Sequence, residues 1–184
     1  MSSIKPTAKD SLLEAGFATL GTNPGASLAD VARAAGVGRA TLHRYFSSRE
    51  QLFNELTRTA ISEMDAAVEA ACRDSATAFD ALRDCLNALI PLGDRYGFLM
   101  QDSVRLDPDI QHDFARQQEE IHQWIEAAVL EGRLSQNLPA HWIVRSYEYA
   151  IYAAWEAIRA QDLTPAQASA LAWQTLVSGV GSSV

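Results

Sequence analysis

Four arginines, at 33, 39, 44 and 49, stand in the stretch ASLADVARAAGVGRATLHRYFSSREQLF (Ala26–Phe53), and no acid lies between Asp30 and Glu50. The chain of 184 residues carries a formal net charge of -8. A basic, acid-free window in such a chain is a local departure of the kind that meets a polyanion. Arg39 can pair bidentately with guanine, Thr41 can reach a base or a phosphate, and Ala40 can touch a thymine methyl. Ser27, Tyr45 and Arg49 suit phosphates: Ser27 opens a helix, Tyr45 offers its hydroxyl, and Arg49 sits in the first turn of the next helix. Two alternatives stay open. Tyr45 reads also as a ring of a small local core, and Arg44 as a solvated arginine.

Other clusters support weaker chemistry. Glu119-Glu120-Ile121-His122 contains E-x-x-H, but carboxylate-bridged di-iron bundles need two such motifs and further glutamates. Asp109, His112 and Asp113 form a second group, which a solvated helix face explains. Cys72 and Cys85 lack C-x-x-C spacing and read as small apolar residues of a reduced chain. No G-x-S-x-G, P-loop or dinucleotide fingerprint is present. The expectation is therefore no enzyme, no metal and no cofactor. The rival reading is a helical-bundle interaction or metal-binding protein that keeps a helix-turn-helix shape without reading an operator.

The elements that must position the window are all helices. Nearly every segment has helical spacing and none shows sustained alternation. Hydroxyls stand three residues before an acid or amide at Thr7–Asp10, Ser27–Asp30, Ser47–Glu50 and Thr164–Gln167, the signature of a capped first turn. Pro108 and Pro165 fit first helical positions, and Gly36, Gly93, Gly132 and Gly179 suit stops. The spacing predicts about nine helices, near 8–20, 28–35, 39–45, 48–72, 76–92, 97–106, 108–131, 139–161 and 165–178. The fold class is all-α. A head at 1–56 is joined by the fourth helix to a larger helical domain at 57–184.

In the head, only Gly36-Val37-Gly38 separates the second helix from the third, the short turn of a helix-turn-helix. Val31, Ala32, Ala35 and Val37 can pack with Leu42 and Phe46, while Leu12, Phe17, Leu20, Leu52, Phe53 and Leu56 close the core. That leaves Arg39, Ala40, Thr41, His43 and Arg44 free to enter a major groove. Residues 1–58 hold seven cations against five acids, so the acidic excess belongs to the remainder.

At the other end, residues 139–161 place Ile143, Tyr147, Ala150, Ile151, Ala154 and Ile158 on one face and Trp142, Tyr149 and Ala153 on another. The last helix is apolar nearly all round and must be buried on more than one side. A second copy supplies that burial most simply, giving a homodimer whose two-fold axis matches a pseudo-palindromic double-stranded operator, while a single crowded core stays open as the alternative. No apolar run approaches the roughly 18 residues of a membrane span. The start, MSSIKPTAKDSLLEAG, lacks the apolar core of a secretion signal, so a cytoplasmic protein without membrane contact is expected.

The stretch SLADVARAAGVGRATLHRYFSSREQLFNEL resembles the N-terminal DNA-binding segment of the TetR (tetracycline-repressor) family of transcriptional regulators: a hydroxyl start, an alanine-rich second helix, A-G-V, then T-L-x-x-Y-F and S-x-E-x-L. The likeness covers about residues 7–56. It implies a homodimeric repressor whose third helix reads an operator and which a small-molecule effector releases, with the last two helices forming the dimer's four-helix bundle. By position, Arg39, Thr41, His43, Arg44 and Tyr45 fall in the recognition helix. Arg49 replaces a common lysine, and His43 stands where tyrosine is usual.

The resemblance also implies an effector pocket, expected among helices five to eight. The candidates are Leu86, Leu89, Ile90, Phe98, Met100, Ile121, Trp124, Ile125, Tyr147 and Trp155, with Arg105, Gln118 or Glu148 as polar anchors. Their aromatic content favours an apolar or aromatic effector.

Overall fold

Thr7 and Ser27 each accept the amide of the acid three residues on, and Asp10 and Asp30 each accept the hydroxyl residue's own N–H. These reciprocal boxes start α1 (Ala8–Thr22) and α2 (Leu28–Ala34) and satisfy donors that a first turn otherwise leaves orphaned. The computed structural model describes residues 7–99 and 108–181, with the side chains of Tyr96, Asp109, Ile110 and Val180 excepted. After α2 come α3 (Arg39–Tyr45), α4 (Arg49–Cys72), α5 (Ala78–Leu89), α6 (Gly93–Leu99), α7 (Pro108–Leu130), α8 (Ala140–Arg159) and α9 (Pro165–Val180). Among the described residues there is no strand; an isolated bridge pairs Leu134 with Gly181.

The helix boundaries depart from expectation where local chemistry intervenes. The helix expected over 76–92 stops at Leu89, because Pro91 has no N–H to donate the next i→i−4 bond; Ile90 itself keeps right-handed helical angles, φ -59° and ψ -39°. A 3₁₀ turn, Ile90–Leu92, follows. Gly93 therefore opens α6 rather than closing a helix, and the rest of the helix expected over 97–106 lies outside the described residues. The expected Ser47–Glu50 box is displaced by one: Ser48 Oγ accepts Gln51 N at 3.1 Å, and Gln51 Oε1 accepts Ser47 N at 2.7 Å. Gly179 lies inside α9.

The α2–α3 turn has a clear origin. Gly36 has φ +68°, a region costly for residues with a Cβ. Its N–H donates to Arg33 O at 3.1 Å while Val37 N donates to Ala32 O at 3.0 Å, the paired bonds of a Schellman stop.

The chain forms two compact units, one built from residues up to Glu63 with a segment from Asp94 to Gln111, the other from Met64–Gly93 with the residues from His112 onward. In the first, Leu12, Phe17, Leu20, Val31, Leu42, Phe46, Leu52 and Leu56 are buried, each large side chain contributing roughly 1.5–3 kcal/mol. Ala35, Val37 and Phe53, expected in this core, are only partly covered. Phe98 of α6 packs edge-on to Phe17 (ring centroids 5.7 Å apart) and against Phe53 (5.3 Å). Arg95 pairs with Glu63 at 2.7 Å and with Glu14.

In the second unit α8 buries Ile143, Tyr147, Ile151, Ala154 and Trp155. The Tyr147 hydroxyl donates to Leu82 O at 2.8 Å, and Trp155 Nε1 to Ile90 O at 2.9 Å. Trp155 also fixes Gly93: a Cβ there would stand 2.6 Å from the indole Cδ1. Glu131 accepts the free amides of Ala78 and Phe79 at the start of α5.

Candidate functional site

On α3 a single side chain, Leu42, is buried. It anchors the helix and turns the others outward. Arg39, Ala40, His43 and Arg44 are exposed, and Thr41 and Tyr45 are half-covered. The Arg44 guanidinium lies 5.1 Å from the Tyr45 ring centroid, a spacing for cation–π attraction. No acid lies on α3 to neutralise it.

The phosphate candidates divide. Tyr45 packs loosely beside Phe46, their centroids 6.5 Å apart, so its ring borders the core while the residue stays partly open. The Ser27 hydroxyl is engaged in its cap, donating to Asp30 Oδ2 at 2.6 Å. Those Ser27 hydrogen bonds, with Arg33 nearby, hold the Asp30 carboxyl below its usual range. Arg49 is engaged too. Its two terminal nitrogens donate to the carbonyls of Ala26 and Pro24, and its guanidinium sits 4.6 Å over the Phe53 ring. It clamps the α1–α2 loop to the start of α4.

A cavity of about 410 Å³ lies within the second unit, inside the roughly 300–1,000 Å³ range of small-molecule sites. Two helices build it with one spacing. From α4 come Met64, Asp65, Val68, Glu69 and Cys72; from α7 come Arg116, Gln117, Glu120, Ile121 and Trp124. Each set steps i, i+1, i+4, i+5, i+8, which keeps two adjacent rows on one helix face. Cys85 and Leu89 of α5 close the wall. Burial pushes the Cys85 thiol up to about 12, and the Tyr147 phenol well above its usual value.

Of the residues the sequence proposed for a pocket, Leu89, Ile121 and Trp124 line this cavity. Leu86, Ile90 and Ile125 are packed core, and Tyr147 and Trp155 are buried with their polar atoms on carbonyls. Glu148 accepts from Gln118 at 2.8 Å and Arg145 at 3.0 Å. Phe98 belongs to the first unit, and Met100 and Arg105 lie outside the described residues. The α4 wall was missed, although Met64, Val68 and Cys72 recur at i, i+4, i+8 beside acids in the same rhythm.

Of the weaker clusters, Asp109 has its side chain outside those described. Among the described residues no three His, Cys, Asp or Glu side chains gather as a metal site. His122 faces Glu126 at 3.6 Å, and Glu119 accepts from Gln123.

A three-helix head that presents a short basic helix, in one chain with a helical unit holding a small-molecule-sized cavity, defines a DNA-binding transcriptional regulator of helix-turn-helix type. Residues 8–56 match the family described as bacterial regulatory proteins, tetR family. The HTH-type transcriptional repressor LfrR of Mycolicibacterium smegmatis (strain ATCC 700084 / mc(2)155) is 31% identical over 159 residues, 86% of this chain and 82% of that protein. The chain belongs to the TetR family.

Solved structures agree. That of the TetR-like regulator LfrR from Mycobacterium smegmatis in complex with proflavine superposes with a TM-score of 0.73 at 29% identity, over 94% of this chain and 96% of that one. The ketosteroid transcriptional regulator KstR2 of Mycobacterium tuberculosis gives 0.79 at 17% identity over 99% of both chains, a likeness of fold alone. No described helix is long and apolar enough to cross a membrane.

Proposed function

We propose that this regulator binds a pseudo-palindromic operator as a homodimer, reads it with α3, and represses transcription until an apolar or aromatic small molecule enters the α4–α5–α7 cavity. One observation carries the DNA reading: α3 buries Leu42 alone and turns Arg39, Ala40, His43 and Arg44 to solvent without an acid among them. Arg39 and Thr41 are the base-facing residues, and Tyr45 and Ser27 border the phosphates. Arg49 acts on the loop that carries Ser27. The proflavine complex of LfrR supports an aromatic occupant for the cavity. Such a ligand releases DNA by binding better to the conformation that fits the operator worse.

The dimer reading rests on α8 and α9. Trp142, Tyr149 and Tyr152, at i, i+7 and i+10, are 57%, 68% and 46% exposed, and Leu171 of α9 is 48% exposed. Large side chains in one stripe at that spacing fit a helical interface between copies. Light scattering reads the mass directly, and a particle of one chain's mass would remove the homodimer.

The test of function is fluorescence anisotropy across a salt series, with DNA from upstream of the protein's own gene against a scrambled duplex. Tight, selective binding is expected, and Arg39→Ala should cost about 1–3 kcal/mol and relax preference at one base pair. Weak binding indifferent to sequence, unchanged by Arg39→Ala, would sink the recognition assignment and favour an interaction module.

A further inference from the structure

We propose that the cavity takes a flat aromatic cation, and that Arg116 holds the cation's place among the acids until the ligand arrives; this rests on the effector-binding reading above. The apolar surface comes from all three helices, and Trp124 is the one aromatic side chain among the lining residues. Tryptophan is the best of the aromatic partners for a cation. Around it the lining carries three carboxylates, Asp65, Glu69 and Glu120, and a single cation, Arg116.

That cation is shared. Arg116 Nη2 lies 2.6 Å from Asp65 Oδ2, and its Nη1 lies 3.1 Å from Glu120 Oε1. Gln117 Nε2 donates to the other Asp65 oxygen at 2.8 Å. Glu69 has no ion pair or hydrogen bond of its side chain among the described residues. An anionic ligand would meet an excess of carboxylates, and a neutral one would gain nothing from them. A cation gains from both the acids and the indole face.

The exchange is one cation for another. The Arg116 side chain is 40% exposed, so its guanidinium can turn into water without a large desolvation change. The incoming charge then keeps Asp65 and Glu120 compensated, which avoids the cost of leaving a partly buried carboxylate alone. Arg116 is thus a competitor of the ligand, not its anchor.

The full-length protein is titrated with proflavine, a three-ring cation, and with acridone, an uncharged three-ring compound of similar size, by calorimetry. Wild type, Arg116→Met and Glu69→Gln are compared, each checked by its melting curve. Proflavine should bind at least about tenfold more tightly than acridone, the equivalent of one charge-assisted contact. Arg116→Met should tighten proflavine by about fivefold to tenfold by removing the competitor and leave acridone unchanged. Glu69→Gln, an exposed change that the fold tolerates, should weaken proflavine alone. Equal affinities for the two compounds, or weaker proflavine binding by Arg116→Met, would overturn the cation assignment while leaving an effector cavity in place. Absence of binding by either compound would equally overturn the flat aromatic cation.

Discussion

Replacing Arg49 by methionine separates two physical roles that a basic residue at the start of α4 can have. Methionine keeps the aliphatic stem against Phe53 and deletes the guanidinium. What disappears is a pair of donations to the Ala26 and Pro24 carbonyls and a cation 4.6 Å over the Phe53 ring. Hydrogen bonds to charged groups contribute about 1.5–3 kcal/mol each when shielded. These are partly open to water, so the lower end applies and the pair does not add fully. The ring contact adds about 0.5–1 kcal/mol at such a site. The expected loss is about 2 kcal/mol, or roughly 4–8 °C in melting temperature for a chain of this size.

The assay joins a thermal melt to the salt dependence of DNA binding. A lost phosphate contact lowers the slope of log K against log salt by about 1. A loosened loop leaves the slope intact, because the number of neutralised phosphates is unchanged. Arg49→Met is therefore expected to melt lower with the same slope. Arg49→Lys should recover part of the stability, since an ammonium cannot span both carbonyls as a planar fork does. An unchanged melt with a slope reduced by about 1 would refute the clamp and make Arg49 a phosphate contact.

Two further outcomes test the second unit. Gln161 closes α8 with φ 63°, its N–H on Ile158 O and that of Asp162 on Ala157 O, so Gln161→Gly should relieve left-handed strain and raise stability by about 0.5–1 kcal/mol in a urea titration. The Cys85 thiol is raised from 9.0 to about 12 by burial; such a shift favours the folded state fully below pH 9.0 and is lost as pH rises towards about 12, so Cys85→Ala should flatten the alkaline fall in stability, and an unchanged alkaline limb would refute the assignment. Tyr147, beside Cys85 and shifted the same way, keeps part of that limb in the variant.

The head was legible because its signals are local. Ser27 and Asp30 cap one helix, Gly36 can take the φ that ends it, and Leu42 must be inside if Phe46 and Val31 are. Each choice constrains the next within a few residues, so the sequence order is also the order of contacts. The break at Leu89 was hidden for the opposite reason: the apolar period runs on through Ile90 and Leu92, and the period outweighed Pro91. The α4 cap moved by one because Ser47 and Ser48, Glu50 and Gln51 offer two registers, and the amide of Gln51 reaches Ser47 N in the second.

The cavity was less legible because a pocket wall and a core obey the same rule. Both present apolar residues at helical spacing, and only the separation of the facing helices decides whether Leu89 meets another side chain or an open volume, as Leu86 and Leu89 on one helix illustrate. Aromatic residues drew the sequence reading towards Tyr147 and Trp155, yet their polar atoms find carbonyls within the unit and close those positions to a ligand. The distinguishing trait lay in the polar neighbours. Asp65 and Glu69 on α4, and Arg116 and Glu120 on α7, repeat beside apolar residues at four-residue intervals, and a charged row flanking an apolar row at the same helical height is where an amphipathic wall borders a space that water or an ion can reach.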